Sequence, residues 1–479
     1  MSTILRGLSP GDPMNFRAVR VTYALSKSRV IAEIKECLLL AVPLAGAQLS
    51  QAATTFVDTV MMGTLGSQII AAGALGAATF FLLLNIGSAI VSAVSPLAAE
   101  AYGGGRVEQV GRVVRQGLWL SVILAVPVTL LIWHSGTLLR LMEQEPENIV
   151  LAEGYLRASA WGYFPGLGFA VLRSFVSALS RTRSVIVTMI AGTLFNVAGN
   201  YVLAFGKFGL PALGLAGLGW ASTLSLWGMF VGLAIYILSQ LQLRAYGAFA
   251  NLHQFDGKIF WELVRVGVPI GVLAGVEGGF FAFVTLLMGQ LGTVTLAAHQ
   301  IALQSAVVTF TISLGISMAA TVRVGQLIGQ ENPQGARLAG FVSIGMAAVF
   351  MAIMGIVFWI VPGTIVSLYI DTTNPANAAV VSLAKTLLGV AAMFQLVDGV
   401  QVTAAGALRG LKDTKVPLLI GILAYWAVGL TCGYTLGFVL GLGSVGLWWG
   451  FAIGLAVAAG VLTWRFSKAQ AWQQMKYQS

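Results

Sequence analysis

The sequence predicts an all-α integral membrane protein with twelve transmembrane helices in two six-helix lobes. Three observations predict this fold: the composition, the number of apolar segments and the placement of basic residues. Of the 479 residues, 57% are hydrophobic and only 9% are charged, whereas soluble domains carry about 25% charged residues. A soluble fold of this length could not cover its surface with so few charges. The composition therefore excludes a conventional cytosolic enzyme, and it also excludes a disordered chain.

Apolar segments that are long enough to cross a bilayer recur along the chain between charged or turn-rich breaks. A spanning helix needs about 20 mostly apolar residues. Twelve segments qualify, near residues 36–61, 68–98, 113–133, 151–177, 185–206, 212–240, 260–288, 294–322, 339–362, 378–408, 416–438 and 443–465. The preceding residues 1–35 are not a signal peptide, because basic residues such as Arg6, Arg17 and Arg20 interrupt every apolar stretch.

The basic residues support twelve spans with both termini in the cytoplasm. With the N-terminus inside, 23 of the 27 Lys and Arg residues fall in cytoplasmic segments, as the positive-inside rule requires. The exceptions are Arg140, Arg157, Lys207 and Lys385. A wrong number of spans would scramble this alternation. The formal net charge of +10 therefore reflects membrane topology, and we expect no nucleic-acid partner.

The two halves of the chain resemble each other at a fixed offset of 226 residues. This offset pairs Pro43 with Pro269, and it aligns the pattern M-G-x-L-G-x(4)-A-A that begins at Met62 with the one that begins at Met288. It also pairs Gly63 with Gly289, Leu65 with Leu291, Gly66 with Gly292 and Gly103 with Gly329. Six spans are an even number, so both lobes insert in the same orientation, related by a pseudo-two-fold axis along the membrane normal. The paired prolines are candidate hinges.

The repeat and the charge pattern together predict the organisation of the chain. The predicted parts are a cytoplasmic N-terminal arm (1–35), an N-lobe (36–240), a cytoplasmic linker (241–258), a C-lobe (259–466) and a cytoplasmic tail (467–479). The names N-lobe and C-lobe are used below for these residue ranges. Two cysteines, Cys37 and Cys432, lie in apolar runs and predict neither a disulfide framework nor a metal cluster. The sequence has no phosphate-binding G-x(4)-G-K-[ST] loop, which argues against an ATP-driven pump.

Three acidic residues lie inside predicted spans: Asp58 in span one, Glu277 in span seven and Asp398 in span ten. An uncompensated carboxylate in hydrocarbon costs several kcal/mol, so such a group normally faces a cavity and marks a transport pathway. At a rise of 1.5 Å per residue, Glu277 lies about 18 Å below the outer end of its span and Asp398 about 16 Å above the inner end. Asp58 lies nearer the outer end of span one. The three acids predict a cation pathway, and the alternative is structural carboxyls hydrogen-bonded between helices.

A second polar group is predicted at the depth of Asp58. Asn196 and Asn200 lie one turn apart on span five, and Ser222 reaches a similar depth on span six. One carboxylate, two amides and one hydroxyl on three helices could coordinate a proton or a small cation. The alternative is a hydrogen-bonded contact between helices, which is common in membrane proteins.

The C-lobe is predicted to hold an acidic cavity without basic residues. No Arg lies deep in its spans, and span ten reaches the cytoplasm at Arg409. Such a cavity suits cations and disfavours anions. Gln300, about six residues into span eight, could support Glu277 or contact a ligand.

Four segments carry a resemblance to a known family. They are P-L-A-G-A-Q-L-S-Q-A-A-T-T-F-V-D-T-V-M-M-G-T-L-G from Pro43, V-G-V-P-I-G-V-L-A-G-V-E from Val266, A-A-H-Q-I-A-L from Ala297, and Q-L-V-D-G-V-Q-V-T-A-A-G-A-L-R-G-L-K-D-T-K from Gln395. Together they resemble the NorM-type branch of the multidrug and toxic compound extrusion (MATE) family, over about residues 33–466.

The resemblance implies a secondary active antiporter, not an enzyme, in the bacterial cytoplasmic membrane. Such a protein exchanges inward-moving Na⁺ or H⁺ for outward-moving amphipathic organic cations, drugs or dyes, by alternating access. It needs no cofactor and no obligatory protein partner, and it acts as a monomer within the lipid bilayer.

The family's site residues map onto individual positions of this chain. Its N-lobe cation site maps onto Asp58, Asn196, Asn200 and Ser222, and its C-lobe site maps onto Glu277 and Asp398 with Gln300 beside them. The resemblance thus places a possible Na⁺ at Glu277, Asp398 or Asp58. This branch often has Tyr one turn before Asp398, where this chain has Phe394.

Three other functions stay open from the sequence. A lipid-linked oligosaccharide flippase has a related architecture, but basic residues should line its cleft to hold pyrophosphate. An intramembrane enzyme could use the paired acids as an acid protease does, and a channel could conduct ions without exchange.

Overall fold

The computed structural model describes residues 27–141 and 146–476, which are almost entirely helical and contain no β-strand. Residues 1–26 of the predicted N-terminal arm and residues 477–479 of the predicted tail lie outside the described residues, as does the loop 142–145.

The helices of the N-terminal part are α1 (Lys27–Leu65), α2 (Ser67–Val91), α3 (Val94–Gly103), α4 (Val107–Trp133), α5 (Ser135–Leu141), α6 (Pro146–Ala160), α7 (Tyr163–Ala178), α8 (Thr182–Phe205), α9 (Gly214–Ser239) and α10 (Leu241–Arg244). Those of the C-terminal part are α11 (Gly257–Gln290), α12 (Thr293–Gly329), α13 (Pro333–Ile360), α14 (Pro362–Ser367), α15 (Ala378–Gly410), α16 (Lys415–Ile422), α17 (Leu430–Tyr434) and α18 (Gly443–Lys476). Two π-helical stretches, Leu423–Gly429 and Thr435–Val439, flank α17.

Ten helical segments among the described residues are long and apolar enough to cross a membrane. They coincide with ten of the predicted spans. The predicted span 36–61 lies within α1, whose outer half carries polar residues such as Gln51, Thr54 and Asp58 that lower its hydropathy. The predicted span 151–177 is divided between α6 and α7 by a turn at residues 161–162. The total of twelve spans and the cytoplasmic location of the termini stay predictions.

Buried apolar side chains form two clusters. The first joins helices of the N-lobe to the beginning of α11, from Ile259 to Ile270, and to a short stretch of α12. The second extends from Leu273 to Phe466 and lies within the C-lobe. Helix α11 therefore packs with one half of the molecule before Ile270 and with the other half after Leu273. This helix carries Glu277, so the change of packing partner occurs one turn before that carboxylate.

Helices α3 and α12 cross at glycines that the sequence pairs at the repeat offset. A Cβ atom on Gly103 would collide with the carbonyl oxygen of Gln326, and one on Gly329 would collide with that of Glu100. Glu100 and Gln326 are themselves separated by 226 residues. Reciprocal contacts of this kind arise when a two-fold axis passes between the two surfaces. Only glycine allows the backbones to approach this closely.

Polar contacts join the two halves at the same end of the molecule. The Lys412 Nζ lies 2.7 Å from Glu100 Oε2 and 3.0 Å from Glu262 Oε1. The Gln326 Nε2 donates to Ser180 Oγ at 3.0 Å. Ser180 and Lys412 both adopt left-handed backbone conformations, with φ of 60° and 61°. They follow α7 and α15 at corresponding places, so one contact between the halves is ionic and its counterpart is neutral.

A second ion pair crosses the same end. The Arg323 guanidinium on α12 donates to both carboxylate oxygens of Glu33 on α1, at 2.8 Å and 2.7 Å. Two-pronged pairs of this type fix orientation as well as distance. Together with the glycine crossing, these pairs hold the two halves in contact at one end of the molecule.

Replacement of Gly329 by Ala tests the close crossing of α3 and α12. We expect Gly329→Ala to destabilise the protein by about 1–3 kcal/mol, because the added methyl group forces the two backbones apart. The thermal unfolding temperature of the detergent-purified protein should fall by several degrees. Gly345→Ala is the matched control, since a Cβ at Gly345 in α13 meets no atom. Equal unfolding temperatures for the two variants would contradict the packing described above.

Candidate functional site

The four residues predicted for the N-lobe lie together at the junction of α1, α8 and α9. Asp58 projects from α1, Asn196 and Asn200 from α8, and Ser222 from α9, and all four side chains are buried. The depths counted along three separate helices therefore agree in space. Asn196 and Asn200 share one face of α8 because they are one helical turn apart.

Hydrogen bonds connect these four side chains in one chain. The Asn200 Nδ2 donates to Asp58 Oδ1 at 2.6 Å and to Asn196 Oδ1 at 3.0 Å. The Asn196 Nδ2 donates to Ser222 Oγ at 3.3 Å. Two oxygens, Asp58 Oδ2 and Asn200 Oδ1, have no hydrogen-bond partner among the described residues. Carboxylate and amide oxygens are ligands that hard cations prefer.

A cavity of about 30 Å³ adjoins this group. Its polar lining comes from Gln51, Thr54, Asp58, Asn196 and Ser222, with aromatic and aliphatic side chains around them. The cavity has room for about one water molecule or a small ion. Gln51 and Asp58 face it together, as expected for residues seven positions apart on a helix. The N-lobe arrangement thus combines one carboxylate with a space too small for an organic molecule.

The C-lobe acids line a much larger cavity, of about 410 Å³. Glu277 enters it from α11 and Asp398 from α15, while most of the other lining side chains are apolar. Asn85 and Ala89 of α2 complete the lining, so the cavity lies between the two halves of the molecule. Cavities of 300–1,000 Å³ with few polar groups are typical of sites for organic ligands.

Arg409 corrects the expectation of a cavity without basic residues. The structure places Arg409 in the lining together with Glu277 and Asp398. About three helical turns separate Asp398 from Arg409, so both lie on one face of α15. Helical side chains lean toward the N-terminus of their helix, and the long guanidinium stem therefore extends back toward the cavity. No carboxylate oxygen of a described residue lies within ion-pair distance of Arg409.

The placement of Gln300 beside the C-lobe acids is wrong. Gln300 does not line the cavity, and it forms no hydrogen bond with any described residue. The lining face of α12 begins at Leu303, so Gln300 lies one turn beyond the cavity on the same face. Its neighbour His299 is buried and bonds Thr285 Oγ1 at 3.0 Å.

Two polar lining residues were missed from the sequence. Gln401 lies one turn after Asp398 and shares its face, so helical spacing was enough to find it. Asn85 faces the cavity from the other half of the molecule, and no pattern within its own span distinguishes it. Pro43 and Pro269 lie inside α1 and α11, as expected for candidate hinges.

Comparison with known proteins agrees with this architecture. A family model described as MatE matches residues 43–202 and again residues 269–435. The matched segments begin at Pro43 and Pro269, the two prolines that the repeat offset pairs.

Curated relatives are similar over most of their length. The "Probable multidrug resistance protein NorM" of a Synechocystis species is 45% identical over 91% of this chain and 95% of that protein. Its counterpart in a Synechococcus species is 44% identical over 95% and 96% of the two chains. The "Multidrug resistance protein NorM" of Burkholderia vietnamiensis is 41% identical over 89% and 92%.

Solved structures share the fold at low identity. The crystal structure of the eukaryotic MATE transporter AtDTX14 superposes with a TM-score of 0.81 at 20% identity, covering 92% of this chain and 99% of that one. An outward-facing multidrug resistance MATE family transporter of the MOP superfamily superposes with a TM-score of 0.84 at 19% identity, over 92% and 96%. Given the family match and the similarity to relatives over most of its length, the protein belongs to the MatE family of multi-pass membrane transporters and is not an enzyme.

Proposed function

We propose that the protein is a multidrug efflux transporter that exchanges inward-moving Na⁺ or H⁺ for outward-moving amphipathic organic cations. One observation carries this proposal: the molecule contains two buried carboxylate sites of very different size. The N-lobe site adjoins a space of about 30 Å³, whereas the C-lobe acids line a cavity of about 410 Å³. The first suits a small cation and the second suits an organic one. The relatives named as multidrug resistance proteins support this function.

The N-lobe group is proposed to bind the coupling cation. Asp58 supplies the negative charge, and Asn196, Asn200 and Ser222 supply neutral polar atoms around it. The unpartnered oxygens Asp58 Oδ2 and Asn200 Oδ1 are the candidate ligands for Na⁺, and the carboxylate alone is the candidate acceptor for a proton. No metal or other cofactor is required by this scheme beyond the coupling cation.

The C-lobe cavity is proposed to bind the organic cation. Its aromatic and aliphatic walls suit the apolar body of such a molecule, and Glu277 and Asp398 suit its charge. Two carboxylates against one guanidinium leave one negative charge to be compensated when all three groups are ionised. A buried carboxylate without a partner is costly, so the site holds either the drug or a coupling cation. Entry of one displaces the other, which couples the two movements.

The positions of the contacts between the halves support alternating access. The glycine crossing and the ion pairs of Lys412 and Arg323 close one end of the molecule. By the positive-inside rule this end faces the cytoplasm. Release of these contacts, with bending at Pro43 and Pro269, would expose the cavity to the cytoplasm. We place the protein in the cytoplasmic membrane of a bacterium, as a monomer without an obligatory protein or nucleic-acid partner.

The alternative functions have less support from the cavity. A flippase for pyrophosphate-linked lipids requires a basic cleft, and the lining contains one basic residue against two acidic ones. The separation of the carboxylates into two lobes also disfavours an acid protease, since Asp58 lies apart from Glu277 and Asp398.

Amide substitutions of the C-lobe acids test drug binding. We expect Asp398→Asn and Glu277→Gln to reduce export of an ethidium-like dye from cells at least tenfold, because each removes a charge that holds the organic cation. Export is measured as the rate of dye loss from preloaded cells with matched expression. Asp371→Asn is the control, since Asp371 lies in an exposed loop. Export at the wild-type rate by both cavity variants would contradict the proposed drug site.

Asp58→Asn tests the coupling site. The variant retains an oxygen that accepts the Asn200 hydrogen bond, so the helix contacts should persist. It lacks the charge that binds the coupling cation. We expect dye movement in membrane vesicles to become insensitive to imposed Na⁺ and pH gradients, with dye binding to the purified protein unchanged. A gradient response equal to that of the wild type would contradict the N-lobe assignment.

Loss of the ion pair between the halves tests alternating access. Lys412→Met removes the contacts with Glu100 and Glu262, and we expect about fivefold more of the inward-open state, from about 1 kcal/mol for a half-exposed pair. The measurement is the labelling rate of Ser177→Cys, introduced between the lobes in a chain without native cysteines, by an impermeant thiol reagent applied to the cytoplasmic face.

The control for that measurement is Lys415→Met, which removes a nearby exposed lysine that makes no ion pair with a described residue. Equal labelling rates for the Lys412 and Lys415 variants would show that the ion pair does not hold this end closed.

A further inference from the structure

Tyr425 has a buried hydroxyl that nothing in the fold accounts for. Its side chain is 1% exposed, and the hydroxyl has no hydrogen-bond partner among the described residues. A buried phenol normally finds a partner, since an unpaired polar group in an apolar environment costs about 1–3 kcal/mol. The tyrosine therefore needs an explanation beyond packing, because a phenylalanine would fill the same space without that cost.

The backbone around Tyr425 is also unusual. The residue lies in the π-helical stretch Leu423–Gly429, between α16 and α17. A π-helical turn contains one more residue than an α-helical turn, so it changes the direction in which following side chains point. Such turns are rare and occur frequently at functional sites. The irregular turn thus coincides with the unpaired hydroxyl.

Two contacts place Tyr425 at the level of Glu277. The Tyr425 ring stacks on Phe280 of α11, with ring centroids 5.6 Å apart and planes 11° apart. Phe280 follows Glu277 by three residues and so shares its helical face. The next residue of the π-helix, Trp426, donates its indole N–H to the carbonyl oxygen of Val276 at 3.2 Å. The phenol is therefore held against the turn of α11 that carries Glu277.

Asp398 approaches the same place from α15. An aromatic cluster joins the helices: Phe451 packs on Phe280 at 5.2 Å and on Phe394 at 6.1 Å. Phe394 lies one turn before Asp398. The phenol of Tyr425 is close enough to both carboxylates to interact with their charges. Two carboxylates and one unpaired hydroxyl thus converge from three helices.

We propose that the Tyr425 hydroxyl is a third oxygen ligand of a C-lobe site for the small coupling cation, beside the carboxylates of Glu277 and Asp398. This inference rests on the proposed function, because it assumes that a coupling cation occupies the C-lobe. A phenol can donate one hydrogen bond and can also offer lone pairs. In the empty site the hydroxyl donates to Glu277, and when the cation enters, its oxygen faces the cation.

The location of this hydroxyl separates the small cation from the drug. Tyr425 does not line the cavity of about 410 Å³. It lies behind the two carboxylates, on the side away from the organic ligand. The carboxylates can therefore be approached from the cavity by the drug and from the Tyr425 side by the small cation. This arrangement explains how one pair of acids serves both ligands in turn.

The test compares cation dependence in four proteins reconstituted in liposomes: wild type, Tyr425→Phe, Tyr425→Phe with Phe394→Tyr, and Tyr163→Phe. Phenylalanine at 425 keeps the stack on Phe280, so folding should be retained. Phe394→Tyr introduces a hydroxyl one turn from Asp398, on the cavity side of the site. Tyr163 is the control, because its buried hydroxyl donates to the Leu83 carbonyl at 3.1 Å, away from the acids. Dye transport is titrated with Na⁺ at fixed pH and with pH at fixed Na⁺.

We expect Tyr425→Phe to raise the coupling-cation concentration for half-maximal transport about tenfold with the maximal rate retained. Phe394→Tyr should recover part of this loss, and Tyr163→Phe should match the wild type. A half-maximal concentration for Tyr425→Phe within twofold of the wild type would overturn the inference, and so would a lower maximal rate at unchanged cation dependence. Transport by the wild type that responds to neither cation would instead refute the proposed exchange itself.

Discussion

A carboxylate inside a membrane protein must be compensated, and the arrangement of this molecule follows from that constraint. The cost of an ionised acid in a low-dielectric interior is several kcal/mol or more, so the group is paired, protonated or solvated by polar atoms. Asp58 receives an amide hydrogen bond at 2.6 Å and faces a space for one small ion. Glu277 and Asp398 face a space for an organic molecule. The same requirement thus has two solutions, which differ in the size of the cation that completes them.

The close packing between the two halves lets these sites act together. Helix α11 packs with the N-lobe before Ile270 and with the C-lobe after Leu273, and it carries Glu277 just beyond this change. A movement of one half against the other therefore displaces the helix that carries a cavity acid. The contacts that must open for such a movement lie at one end, around the crossing of Gly103 and Gly329. Because the repeat places equivalent residues on both sides of this crossing, the two halves can separate there without a large rearrangement of either core.

Helical geometry made much of the fold and of the N-lobe site predictable from sequence. The rise per residue is constant, so depth could be counted along three helices, and Asp58, Asn200 and Ser222 met as expected. Arg409 was misplaced because counting locates a Cα atom, whereas the guanidinium extends several ångströms back toward the cavity. Gln300 was on the correct face but one turn too far out. Asn85 and Tyr425 depend on contacts between distant helices and on a π-helical turn, and neither feature has a recognisable sequence pattern.

The central claim is that binding of small cations at buried carboxylates drives movement of an organic cation. Its most direct test is dye transport by the purified wild-type protein in proteoliposomes, with Na⁺ and pH gradients imposed independently. The account predicts that dye accumulates against its own gradient when one of the two cation gradients is imposed. It also predicts that accumulation ceases when that gradient is collapsed with the matching ionophore. Dye that equilibrates at the same rate with and without either gradient, and never accumulates, would contradict the account.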